Sequence, residues 1–125
     1  EITLYGRSLG TGIATAMASR HKPKQLVLET PFYSLLDVAK GMFPILPVSL
    51  FLKYTFPSYE YVKDIRCPIT IFHGNSDSVV PYESGKRLYD VIPHDRKLFF
   101  TIKEGDHNNL VSFPAYHEGI KQVLP

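Results

Sequence analysis

Cysteine is nearly missing from this chain. Cys67 is the only one among 125 residues, which excludes an internal disulfide and leaves no Cys-rich zinc motif. It precedes Pro68 at the entry to an apolar run, the setting of a small buried hydrophobe rather than a reactive thiol. So little cysteine fits a reducing compartment and favours a cytoplasmic setting for this segment. Long apolar runs are missing too. No stretch of 18 apolar residues exists, so no transmembrane segment is expected. The most apolar region, 41–56, is broken by Pro44 and Pro47 and contains Lys53. No signal peptide is visible. Charge of one sign is also lacking: 14 basic and 12 acidic groups leave a net charge of +2. The longest basic cluster, 20–24, is short and holds Pro23. A nucleic-acid surface needs basic residues on one face with stacking aromatics, and no such stripe occurs, so no nucleic-acid partner is expected. Repeats and low-complexity tracts are absent.

What is present is globular. Apolar residues make up 44% and charged residues 21%, enough to bury a core, and the length suits one domain, 1–125. The chain does not begin with Met and opens directly on a strand-like run, so a segment of a longer protein is expected. Residues 2–5 read as a strand stopped by Gly6. Residues 9–20, rich in Ala, read as a helix, and 25–29 as a second strand whose Leu26-Val27-Leu28 core is typical of a buried parallel strand. Helical spacing covers 34–42, followed by a strand at 69–72, a helix at 82–92, a strand at 97–102 and a helix at 116–124. This alternation predicts an α/β fold, a parallel sheet of about four strands with helices on both faces.

In such sheets chemistry gathers in the loops after the carboxyl ends of the strands. After the first strand comes Gly6-Arg7-Ser8-Leu9-Gly10, after the third His73-Gly74-Asn75-Ser76-Asp77, and after the fourth Glu104-Gly105-Asp106-His107. The first matches the G-x-S-x-G elbow, in which a serine sits on a sharp strand-to-helix turn. Gly6 and Gly10 are expected to give the clearance such a turn needs, and Leu9 to offer its N–H to a developing oxyanion. Neither phosphate-loop pattern, G-x-G-x-x-G or G-x-x-x-x-G-K-[ST], occurs. Serine needs a base, and the base an orienting carboxylate. Of five histidines, His21 and His94 fall on the opposite rim, His117 begins the last helix, and His73 ends a strand and stands as a possible lining residue. His107 is where a movable base belongs. Asp77 gives the chain order Ser…Asp…His, with Glu29 as a rival acid and Asp106 third. No metal or organic cofactor is implied.

The runs 6–12, 28–32, 67–81 and 105–109 resemble the α/β-hydrolase superfamily, most of all its acyl-hydrolase and serine-peptidase-like α/β-hydrolase domain-containing members. The resemblance covers essentially the whole chain. It implies that Ser8, Asp77 and His107 form the triad, that Leu9 is the elbow oxyanion donor, and that 31–61 is a cap or lid. The aromatics of that insertion suit either an apolar acyl pocket or ordinary packing. It further implies a serine hydrolase of esters, thioesters or amides, acting on a small acyl or peptide substrate. The family sheet has eight strands with the nucleophile after the fifth, so this chain corresponds to its C-terminal half. The loop giving the second oxyanion N–H would then lie elsewhere, at a cost of ~10²–10³ in rate if lost. The first strand would expose an edge through which two copies could pair. A silent scaffold or interaction domain is the alternative reading.

Overall fold

A computed structural model of the protein describes residues 2–42, 47, 49 and 53–124. Four strands, β1 (Thr3–Arg7), β2 (Gln25–Glu29), β3 (Ile69–Gly74) and β4 (Lys97–Ile102), pair in sequence order, all parallel. Between and after them lie α1 (Leu9–Arg20), the short α2 (Ala39–Met42), α3 (Ser58–Tyr61), α4 (Tyr82–Asp90) and α5 (Pro114–Val123).

The two inner strands are apolar on both faces because helices cover both. Leu26 and Leu28 of β2 and Ile69 and Ile71 of β3 pack with Ala14 and Ala18 of α1, Val62 and Ile65 after α3, and Leu88 of α4. Val27 and Phe72, which alternate with them, face the opposite layer with Ile102, Leu110 and the apolar stripe of α5. Phe72 is fully buried and stacks on Phe100 at 4.9 Å between ring centres. Truncating it to Ala would cost about 3–5 kcal/mol. One face therefore carries the crossover helices and the other the final helix, as right-handed connections between sequential parallel strands require.

Small residues let α1 lie close on the sheet. A Cβ at Gly6 would stand 2.7 Å from the Gly10 carbonyl oxygen and 2.8 Å from Ala14 Cβ, so β1 reaches the helix only because this position is glycine. The buried hydroxyls of Thr11 and Thr15 donate back to the carbonyls of Ser8 and Thr11, both at 2.6 Å, which satisfies them inside the apolar layer.

Several boundaries differ from the sequence reading. Gly6 does not stop β1: it pairs with Leu28, and the strand runs on to Arg7. Ladder pairing with β2 outweighs the weak strand propensity of glycine there. β3 likewise extends through His73 to Gly74. The helical stretch at 34–42 begins as a 3₁₀ turn, Leu36–Val38, before α2. The four-residue α3 after Pro57 and its 3₁₀ continuation Val62–Asp64 are too short to leave a periodic signal. The last helix starts two residues early, at Pro114, whose fixed φ suits a first turn, and it ends at Val123, so Leu124 lies past it and is half exposed.

Candidate active site

Three strands end on one rim, and at each the chain turns sharply. Ser8 after β1, Thr30 after β2 and Glu104 after β4 all take positive φ without being glycine, at 54°, 54° and 67°. Such conformations cost about 1–3 kcal/mol each and persist only where the surroundings over-determine them. Around Ser8 they do. Its N–H donates to the Glu29 carbonyl at 3.0 Å and its own carbonyl takes the Thr11 N–H at 2.9 Å. The turn leaves Ser8 Oγ only partly covered, 2.8 Å from His107 Nε2. Leu9 is the first residue of α1, so its N–H has no acceptor within the helix ladder.

His107 Nδ1 lies 3.1 Å from Asp77 Oδ2. A carboxylate can only accept, so the proton sits on Nδ1 and the lone pair of Nε2 faces the serine hydroxyl. Asp77 is itself fixed: its side chain is fully buried, and Oδ1 accepts the N–H groups of Val79 at 2.9 Å and Val80 at 2.8 Å. Ser8, His107 and Asp77 thus form one chain of hydrogen bonds drawn from the ends of three different elements. Gly6 supplies backbone clearance, whereas a Cβ at Gly10 would meet nothing within 4 Å. The clearance expected from Gly10 is not required, because its side-chain direction opens away from β1.

The rivals are placed elsewhere. Glu29 faces the α5 side of the sheet, accepting from Tyr5 at 2.5 Å, Tyr116 at 3.2 Å and Arg7 at 3.0 Å. Asp106 Oδ1 accepts the N–H and hydroxyl of Ser78 at 2.8 and 3.0 Å, and the main-chain N–H of His107 at 2.7 Å. These bonds hold its carboxyl below the usual range and brace the Asp77 loop against the His107 loop. His73 does not line an open site. It is fully buried under Asp77, donating from Nε2 to the Val80 carbonyl at 2.9 Å, with Asp77 Oδ2 3.5 Å away. Among the described residues its Nδ1 has no partner, and burial pushes its imidazole down from the ordinary value. His21 and His117 are exposed, and His94 accepts from the Arg96 N–H.

Sequence reasoning missed a second network beside the first. Arg7, next to Ser8, donates from Nε to Glu29 and from Nη2 to Asn108 Oδ1 at 2.7 Å, and Asn108 follows His107. The two neighbours of the hydrogen-bonded pair are therefore tied to each other. Adjacency to the motif residues was the available signal. Of the aromatics of 31–61, Phe32 is fully buried, Tyr33 stacks on Tyr59 at 4.6 Å, and Phe56 packs beside Phe32. Phe43 and Phe51 lie outside the described residues. Among the described residues no group of three His, Cys, Asp or Glu side chains is placed to hold a metal ion, and no helix is long and apolar enough to cross a membrane.

No protein-family model matches the chain. It is 33% identical over 117 residues to the lysophosphatidylserine lipase ABHD12 of Danio rerio, covering 76% of this chain and 30% of that protein. It is 32% identical over 124 residues to the α/β-hydrolase domain-containing protein aho-3 of Caenorhabditis elegans, covering 99% of this chain and 36% of that one. The chain thus spans about a third of the length of these curated relatives. Among solved structures, an esterase domain from Rhodothermus marinus superposes over 98% of this chain and 57% of its own, with a TM-score of 0.73 at 22% identity. That likeness is one of fold.

Proposed function

The chain belongs to the α/β-hydrolase superfamily, and on that premise we propose that it carries the catalytic triad of a serine hydrolase that cleaves an ester, thioester or amide. The reading rests above all on one observation: the unbroken line from Ser8 Oγ through the His107 ring to the buried Asp77 carboxylate, at 2.8 and 3.1 Å. In this reading Ser8 attacks the acyl carbon and His107 takes its proton at Nε2. Asp77 keeps the imidazole in the Nδ1–H tautomer and stabilises the imidazolium. Leu9 N–H and the start of α1 meet the developing oxyanion. His107 then returns the proton to the leaving group, and water repeats the sequence on the acyl-enzyme. The relative named as a lipase supports the acyl class of substrate, and we assign the region 31–61 as the cap over it.

The test is covalent. A fluorophosphonate probe labels the full-length protein at Ser8. Ser8→Ala abolishes labelling. Labelling that survives the substitution refutes the assignment.

A further inference from the structure

At the opposite end of the strands from Ser8 lies a cavity of about 440 Å³ that the proposed hydrolysis does not use. Five of its eleven lining residues are cationic, Arg20, Lys22, Lys24, Arg66 and Arg96, against a single carboxylate, Asp64. These are five of the 14 Lys and Arg in the chain, brought together from three separate connections. The α1–β2 region supplies Arg20, Lys22 and Lys24, the run into β3 supplies Arg66, and the α4–β4 loop supplies Arg96. Among the described residues none of the five forms an ion pair.

Cations often gather at helix C-termini to complement the dipole. That accounts for Arg20, in the last turn of α1, but not for Lys22 and Lys24 in the loop, nor for Arg66 and Arg96, which precede strands. The two guanidinium groups are also held in place. Arg66 Nη1 donates to the Lys63 carbonyl at 2.8 Å, Arg96 Nη2 donates to the Arg66 carbonyl, and the Arg96 carbonyl takes the Ile69 N–H at 3.1 Å. Each guanidinium has five donors and these bonds use one, so most of each fork is left to meet a ligand. Cys67, half-buried in the wall, adds no negative charge, since burial pushes its thiol up.

We propose that this basin binds a phosphate monoester. A dianion of tetrahedral oxygens suits two guanidinium forks and two neighbouring lysines, and the volume lies in the range of small-ligand sites. The site is separate from the acyl chemistry: α1 alone, with 12 residues, puts its two ends about 18 Å apart. The monoester comes either from a soluble metabolite or from a lipid headgroup.

The experiment titrates the full-length protein by calorimetry at low ionic strength with sn-glycerol 3-phosphate. In parallel it measures flotation with phosphatidylcholine vesicles containing ether-linked phosphatidic acid, which cannot be deacylated. Saturable binding with a Kd at or below about 1 mM is expected in one arm. It should weaken at least tenfold, roughly the loss of two charge-assisted contacts, in both R66Q/R96Q and K22Q/K24Q. Among the described residues the lysine pair makes no side-chain hydrogen bond, so its effect does not depend on structural integrity. Lys103→Gln, beyond the far end of β4, leaves binding unchanged. Binding to glycerol phosphate identifies a soluble ligand, and binding to vesicles alone identifies a headgroup. Binding in neither arm, binding that both double variants retain, or an equal loss in Lys103→Gln overturns the proposal.

Discussion

Two buried carboxylates compete for the role of acid, and isosteric amides separate them. In Asp77→Asn the amide oxygen can keep the Val79 and Val80 N–H bonds, so the loop holds and stability changes by only about 1 kcal/mol. The amide nitrogen, however, now faces His107 Nδ1, where two donors cannot meet. The ring turns to the other tautomer and presents a donor instead of an acceptor to Ser8. A wrong tautomer at this point is worth ~10⁴ in rate in a serine hydrolase, so fluorophosphonate labelling of the full-length protein should slow by ~10³–10⁴. Glu29→Gln perturbs the opposite quantity. Glu29 is nearly fully buried and accepts from Tyr5, Tyr116 and Arg7. Hydrogen bonds to a charged acceptor contribute about 1.5–3 kcal/mol each, whereas the share of the half-exposed Arg7 is discounted for solvent. The amide retains part of each contact, giving a loss of about 2 kcal/mol in denaturant unfolding and less than a tenfold change in labelling. If Glu29→Gln proves as inactive as Asp77→Asn, or if Asp77→Asn labels within tenfold of the parent, the acid has been misassigned.

Three further outcomes follow from the geometry. Arg7→Met removes the tie between Glu29 and Asn108; with Arg7 46% exposed at its side chain, stability falls by less than about 1 kcal/mol. Labelling slows by about tenfold as the His107 loop loosens, and no change in rate would show that the tie is idle. Gly6→Ala forces a Cβ onto the Gly10 carbonyl and costs about 1–3 kcal/mol, while Gly10→Ala, with open space, is neutral or gains up to about 1 kcal/mol. Denaturant midpoints in the reverse order would refute this. His73 is held neutral by burial, so its folded-state pKa lies below the unfolded value. The unfolded chain then binds the extra proton, and the stability concerned is complete above the ordinary imidazole range near pH 6.5 and lost as pH falls below it. The thermal midpoint should drop between pH 7.5 and 5.5, and His73→Asn should flatten that slope.

The sheet was legible because its inner strands are buried on both faces and so read as largely apolar runs. Leu26-Val27-Leu28 and the run from Ile69 need no tertiary information. The rim was legible for a related reason: in a parallel sheet every strand ends on the same side, so the loops holding Ser8, Asp77 and His107 must neighbour one another. Boundaries were less so. Gly6 carries the local signal of a stop, yet pairing with Leu28 keeps it in the strand, and that pairing is a property of β2.

What stayed hidden shares one cause. Glu29 looked like a rival acid because position along the chain places it on the same rim, and only the alternation of side chains along β2 turns it to the α5 face. The same alternation sends Arg7 away from Ser8, although the two are adjacent, and brings it to Glu29. Asn108 meets Arg7 through a loop whose path no local pattern specifies. The cationic basin is of the same kind: Arg20, Arg66 and Arg96 sit far apart in sequence, and a search for a basic stripe along one element passes over them. Their convergence appears only when parallel pairing lines up the starts of β2, β3 and β4. A parallel sheet therefore builds two rims at once. Sequence motifs announce the one where loops carry glycine, serine and histidine, while the other is assembled from residues that are individually ordinary.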